Sequence, residues 1–215
     1  RNRAAGHLEF WAKKVIANET RIDNIDRGSL VASIVDLRSG IVTIRNHAAG
    51  HLEFWAKKVK ANETRIDNIG RGNLGAVIGN LRSALVTIRN LSSGRLEFWA
   101  ETVISRETRI ENLGSGNLVA FVNKLRSSLV VIRNAGQGRL EFWADTVISN
   151  ETRITNLGRG SLLTAINNLR SGVLTIRNAG QGRLHFWANQ VKSQEKSISG
   201  LNVGNLVKHT ASFRS

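Results

Sequence analysis

Residues 96–117, LEFWAETVISRETRIENLGSGN, contain the pattern that decides the fold. The next 22 residues, 118–139, read LVAFVNKLRSSLVVIRNAGQGR and repeat the leading Leu, the Ile-X-Asn group and the Gly-X-Gly group at the same places. A unit of 22 residues therefore recurs in the chain. Because an internal repeat is the first sign of a solenoid, its period guides the interpretation of every other feature.

The 22-residue period extends through the whole sequence. Gly recurs at this interval from Gly6 to Gly204, and a Leu follows each of these glycines by two residues. Trp occurs only every 44 residues, so two types of unit alternate. We predict one repeat array over 1–215, with 44-residue repeats that start near 6, 50, 94, 138 and 182. Because neither end shows a polar capping unit, we expect the array to be an excerpt of a longer one.

The composition excludes several classes of site. The 215 residues include no Cys, Pro, Met or Tyr, and the absence of Cys rules out disulfides, thiolate chemistry and four-Cys zinc sites. The five His residues show no recurring metal-ligand spacing, and the Gly-rich groups at 114–116 and 158–160 lack the Lys-Ser/Thr of a phosphate-binding loop. We expect no catalytic site, no metal site, no cofactor and no enzyme activity. The apolar runs are also too short for a membrane-spanning helix, which needs about 20 residues.

One interpretation of the unit is helical. Leu96, Val103 and Ile110 lie seven residues apart and would form one stripe of an α-helix. Asn112-Leu113-Gly114 resembles a helix C-terminal cap. An α-solenoid of helix pairs, with 44 residues in each pair, is therefore the alternative fold, and it would be a basic binding module for a polyanion or an acidic protein partner.

A β-solenoid explains more of the pattern. Residues 96–100 and 108–112 alternate between apolar and polar side chains, and Val103 and Ser105 form a shorter alternating pair between them. Asn and Gly, which are frequent in this chain, are poor residues for helix interiors. The predicted fold is all-β: each unit forms three short strands separated by corners, and about ten units stack as rungs. We expect Gly at corners where the backbone takes positive φ.

Residues 145–156, DTVISNETRITN, resemble the pseudo-repeats of amyloid-type β-solenoids such as the fungal HET-s prion domain. The resemblance implies stacked rungs with asparagine ladders and with charge pairs between rungs. It covers only part of each 44-residue repeat, and the Phe-Trp phrase has no counterpart in those domains. We carry over the architecture and no signalling role, because a shared fold does not transfer function.

The Asn column is the predicted structural ladder, since stacked amides can hydrogen-bond from rung to rung. Its members are Asn24, Asn46, Asn68, Asn90, Asn112, Asn134, Asn156 and Asn178.

The net charge of +15 points to anionic partners. Pairing of Arg with Glu between rungs would leave about half of the basic residues uncompensated, and two Arg columns are the candidate contacts for a polyanion or an anionic surface. They consist of Arg38, Arg82, Arg126 and Arg170, and of Arg45, Arg89, Arg133 and Arg177.

The Trp residues form the candidate interface. If Phe98 points inward, Trp99 points outward, and five Trp residues line one face of the rod; a corner that folds Trp over the core is the other arrangement considered. Exposed apolar stripes of this kind usually mark interfaces. The stripe consists of Trp11, Trp55, Trp99, Trp143 and Trp187.

Together these features predict a structural, self-assembling repeat protein. Rungs would stack end to end into a fibre, filament or adhesive matrix, and the Trp stripe and the Arg columns would mediate lateral or surface contacts. Asn-X-Ser/Thr sequons at 18, 62, 90 and 150 favour an extracellular location, although the sequence does not fix the compartment.

Overall fold

The computed structural model of the chain describes residues 1–3, 5–47, 49–200 and 206–214, the last range as backbone only. This part of the chain contains ten strands and no helix. The predicted β-solenoid is confirmed and the α-solenoid is wrong, because the β-branched, alternating segments pair between units instead of coiling within them. The strands are β1 (His7–Asn24), β2 (Ser29–Asn46), β3 (Leu52–Asn68), β4 (Leu74–Asn90), β5 (Leu96–Asn112), β6 (Leu118–Asn134), β7 (Leu140–Asn156), β8 (Leu162–Asn178), β9 (Leu184–Gly200) and β10 (Leu206–Arg214).

All ten strands lie in chain order in one sheet, and every neighbouring pair is parallel. The register is strict: Leu96 pairs with Leu118 and Asn112 with Asn134, 22 residues apart. Each 22-residue unit is therefore one rung, and each sequence column becomes a row of side chains along the rod. Neighbouring rungs are separated by the usual strand spacing of about 4.8 Å.

Two corners divide every long strand. Between β5 and β6 the pairing omits Glu101 with Asn123 and Arg106 with Ser128. The inward alternation restarts after each corner: 96, 98 and 100 are buried on the first segment, 103 on the second, and 108, 110 and 112 on the third. Each rung is thus one continuous strand, and its two corners divide it into three segments where the sequence predicted three short strands.

The core explains why the repeat is 44 residues long and not 22. Fully buried Phe98 lies in register between Ala76 and Ala120. In the adjacent inward column, Ala100 lies between Ile78 and Val122. A large side chain on one rung thus meets a small one on the next, and this alternation lets the interior pack closely.

The expectation of positive φ at the corner glycines is wrong, since no glycine in the described ranges has a positive φ. The reason for glycine is close contact between rungs. A Cβ atom added to Gly116 would lie 2.0 Å from the carbonyl oxygen of Gly94, and one added to Gly138 would lie 1.8 Å from that of Gly116. At this turn only hydrogen fits beneath the carbonyl of the preceding rung.

Candidate functional site

The asparagine column closes the turn of every rung. Asn90 is fully buried, and its Nδ2 donates to the carbonyl oxygen of Gly94 at 2.9 Å and to that of Asn117 on the next rung at 3.2 Å. Asn46 donates in the same way to the carbonyl oxygens of Gly50 and Asn73. The side chain therefore ties its own turn to the turn above it. Sequence reasoning missed this role because a column of identical residues does not identify the acceptor.

Ladder hydrogen bonds between asparagine side chains occur along part of the same column. Nδ2 donates to Oδ1 of the next rung from Asn24 to Asn46 (3.1 Å), from Asn46 to Asn68 (3.3 Å) and from Asn68 to Asn90 (3.2 Å). The same bond joins Asn156 and Asn178. On the central rungs, buried Asn112 and Asn134 bind the turn carbonyls, and their Oδ1 atoms have no hydrogen-bond partner.

The five tryptophans point away from the core. Their exposure ranges from 39% at Trp143 to 70% at Trp11. Even-numbered rungs place Ser33, Val77, Phe121 and Ala165 between them in register. The structure thus brings the predicted stripe together on one face, with one smaller or aromatic residue between successive indoles.

Phe121 shows what the space between two tryptophans can hold. Its ring centroid lies 4.0 Å from that of Trp99, with 21° between the ring planes. On the other side it lies 6.2 Å from the ring of Trp143, at 15°. The rings therefore stack along the rod axis, and one aromatic ring fills the gap between indoles that are two rungs apart.

The corresponding position between Trp55 and Trp99 holds no aromatic ring. Val77 lies between the two indoles, Gly75 lies beside it, and the space forms a pocket of about 520 Å³. Glu53 and Glu97 are at its rim. We call this pocket between Trp55 and Trp99 the slot. Its volume is comparable with that of small-ligand sites.

Each of these carboxylates has a hydrogen-bond or ion-pair partner on its own rung. His51 Nε2 lies 2.9 Å from Glu53 Oε1, and Arg95 Nε lies 2.7 Å from Glu97 Oε1. The hydrogen bond from His51, with a smaller contribution from the indole N–H of Trp55, lowers the pKa of Glu53 below its ordinary value. The carboxylate is ionised at neutral pH and can accept further hydrogen bonds with its remaining lone pairs.

The second predicted Arg column forms ion pairs between rungs. Asp67, buried in this column, accepts from Arg89 at 2.9 and 3.0 Å and lies 3.4 Å from Arg45. The hydrogen bond with Asp67 raises the pKa of Arg89. Arg133 lies 3.9 Å from Glu111. These three arginines are thus engaged by carboxylates, whereas Arg177 is exposed and its column neighbours are Thr155 and Ser199.

The first predicted Arg column is more available to a partner. Arg38 pairs with Asp36 at 3.1 Å. Arg82, Arg126 and Arg170 are exposed, and no carboxylate within the described ranges lies at ion-pair distance from them.

Two charged features were missed in the sequence. Arg109 pairs with Glu107 on its own rung, as the equivalent residues of β1, β3 and β7 do. The i, i+2 spacing on one strand face could have indicated this pairing. The second feature is a lysine-rich surface on the first four rungs, which a search for invariant columns overlooks because these lysines change between repeats.

In the described part of the chain, no cluster of three or more His, Asp or Glu side chains could hold a metal ion. The described residues form no helix, so the structure shows no helix that could span a membrane. No protein family, no curated protein and no solved structure matches the chain. The geometry of its own surfaces is therefore the basis for proposing a function.

Proposed function

We propose that this β-solenoid is a structural protein whose rods join end to end into fibres. The observation that carries the proposal is the strict parallel register. Each rung has the same columns of side chains on its two faces, so any rung can stack on any other in the same register. Wherever such a stack stops, its last rung carries unpaired N–H and C=O groups and an uncovered inward column. A second molecule can satisfy both, because its rungs have the same register and the same alternation of large and small residues.

The β1 edge illustrates what is available for such contact. Phe10 occupies the inward Phe column but is 47% exposed, whereas Phe54 and Phe98 in the same column are fully buried. Burying apolar area of this kind stabilises association by about 25 cal/mol per Å². The exposed Trp stripe and the exposed arginines would supply lateral or surface contacts once fibres form.

The test is concentration-dependent assembly of the purified chain at neutral pH. We expect sedimentation to detect growing species, electron microscopy to show unbranched rods, and fibre diffraction to give a reflection near 4.8 Å. Phe10→Lys should abolish growth by placing a charge in the joint. Ile16→Lys is the matched control, because Ile16 is 68% exposed and lies in an outward column.

A chain that stays monomeric at high concentration would refute the proposal. So would equal loss of assembly in the two variants, since only Phe10 belongs to the inward column. Circular dichroism of both variants must retain the β-sheet spectrum, so that loss of assembly is not loss of fold.

A further inference from the structure

The second segment of the first four rungs carries a dense positive surface. We call it the basic face, and it consists of Lys13, Lys14, Arg38, Lys57, Lys58, Lys60 and Arg82. All seven side chains are exposed. The equivalent outward and corner positions of these rungs include one carboxylate, Asp36, which pairs with Arg38.

The basic face is a local feature and not a property of the whole rod. The equivalent positions of β5 to β8 carry three basic residues, Lys124, Arg126 and Arg170, against two carboxylates, Glu101 and Asp145. Adjacent rungs lie about 4.8 Å apart. Arg38, Lys60 and Arg82 are on successive rungs, and the lysines of β1 and β3 are two rungs apart, so neighbouring charges lie within about one Debye length. Like charges held this close favour a polyanion that spans several rungs.

The basic face adjoins the tryptophan stripe across one corner. Lys57 and Lys58 follow Trp55 by two and three residues, on the far side of buried Ala56. Trp55, one wall of the slot, therefore borders these lysines, while the slot itself extends on the other side of the tryptophan stripe towards Gly75 and Arg95. Phe121, stacked at 4.0 Å on the other side of Trp99, demonstrates that a planar ring fits between two indoles of this stripe.

We infer that the first half of the rod binds single-stranded nucleic acid, with phosphates on the basic face and unstacked bases inserted between tryptophans. Aromatic stacking platforms beside a basic groove are the means by which proteins hold single strands without sequence preference. The carboxylates of Glu53 and Glu97, which line the slot, can accept hydrogen bonds from the ring N–H of thymine and from the exocyclic amino groups of other bases. A sulfated glycan or an anionic membrane matches the charges but provides no planar aromatic ring for the slot.

This inference does not depend on fibre formation, and dilute, unassembled chain is the material for the test. The probe is a fluorescent oligothymidylate of about 20 nucleotides, compared with an abasic strand of the same length and with heparin. We expect the oligothymidylate to bind at least tenfold more tightly than the abasic strand and to quench tryptophan fluorescence. The affinity should fall steeply with added salt.

Two variants separate charge from stacking, and a third is the control for charge. Lys57→Gln/Lys58→Gln/Lys60→Gln should reduce the slope of log K against log salt by about 2, since each phosphate contact on a single strand contributes about 0.7. Lys124→Gln/Arg126→Gln/Arg170→Gln removes three charges outside the basic face and should leave the slope unchanged. Val77→Phe should fill the slot as Phe121 does, lower oligothymidylate affinity about tenfold, and leave abasic-strand binding as it was.

Equal affinity for oligothymidylate and the abasic strand would overturn the inference and leave a surface for polyanions in general. Tighter binding of heparin with no fluorescence quenching by oligothymidylate would overturn it as well. Equal effects of the two triple variants would show that net charge and not the basic face determines binding. Because Val77→Phe adds a stacking contact, loss of fold is not its expected effect, and a thermal melt checks this.

Discussion

At the scale of single residues, the neighbouring rung determines which residue type a position can hold. Gly116 and Gly75 illustrate the point, because the space beside the two glycines differs. A Cβ on Gly116 would meet a backbone carbonyl at 2.0 Å, whereas a Cβ on Gly75 would meet nothing within 4 Å. Glycine is required at the first position and merely present at the second.

The first prediction follows from this pair. Gly116→Ala should lower the free energy of unfolding by at least about 2 kcal/mol, because the backbone carbonyl of Gly94 cannot move without disturbing the next rung. Gly75→Ala should be neutral or stabilising by up to about 1 kcal/mol, since alanine restricts the unfolded chain and nothing obstructs its methyl group. Urea denaturation of both variants measures the difference, and equal destabilisation would contradict the steric argument.

How much of each residue's role could be predicted depended on whether the signal was local in sequence. The outward position of Trp99 followed from its neighbour Phe98, because successive side chains on a strand point to opposite faces. The turn-closing bonds of Asn90 did not follow, since their acceptors, Gly94 and Asn117, are identified only once the turn is folded.

At the scale of strands, the columns predict where charges meet. One outward column runs Asp23, Arg45, Asp67, Arg89, Glu111, Arg133, Thr155, Arg177 and Ser199, so acid and base alternate until Thr155 interrupts the order. Asp67 and Glu111 are buried among the arginines, so the column accommodates a carboxylate next to two guanidinium groups.

The second prediction restores the alternation. Thr155→Asp should raise the free energy of unfolding by about 0.5–1 kcal/mol, because it places a carboxylate in register between Arg133 and Arg177. The gain should shrink in high salt. Thr155→Asn is the uncharged control of the same shape, and equal stabilisation by Asn would show that charge pairing is not the cause.

The sequence predicted the three segments and two corners of a rung because alternation and its interruptions are visible within 22 residues. It predicted Arg–Glu pairs between rungs, but the rod also pairs Arg109 with Glu107 along one strand. The basic face was hidden for a different reason. Lys57 is replaced by Glu101 and Asp145 in the following repeats, so no column signals it.

At the scale of the whole molecule, the 44-residue repeat makes rungs of two types alternate along the rod. A rung with Phe in the inward column alternates with one that has a smaller residue there. These smaller residues are Ala32, Ala76, Ala120 and Thr164. Thr164 lies in register between Phe142 and Phe186 and is fully buried.

The third prediction tests that alternation. Thr164→Phe would place phenylalanines on three successive rungs, and it should lower the free energy of unfolding by about 1–3 kcal/mol because the interior has no room for a third ring. Urea denaturation of the variant and the parent chain measures the difference.

Thr164→Val is the matched control, because it keeps the branched shape at the same buried position and replaces a hydroxyl oxygen that has no hydrogen-bond partner. It should be neutral or stabilising by about 1 kcal/mol. Equal destabilisation by Phe and Val would show that the position tolerates no change, and that the alternation of large and small residues is not the cause. If Thr164→Phe is as stable as the parent chain, large side chains fit on successive rungs, and the alternation does not explain why the repeat has 44 residues.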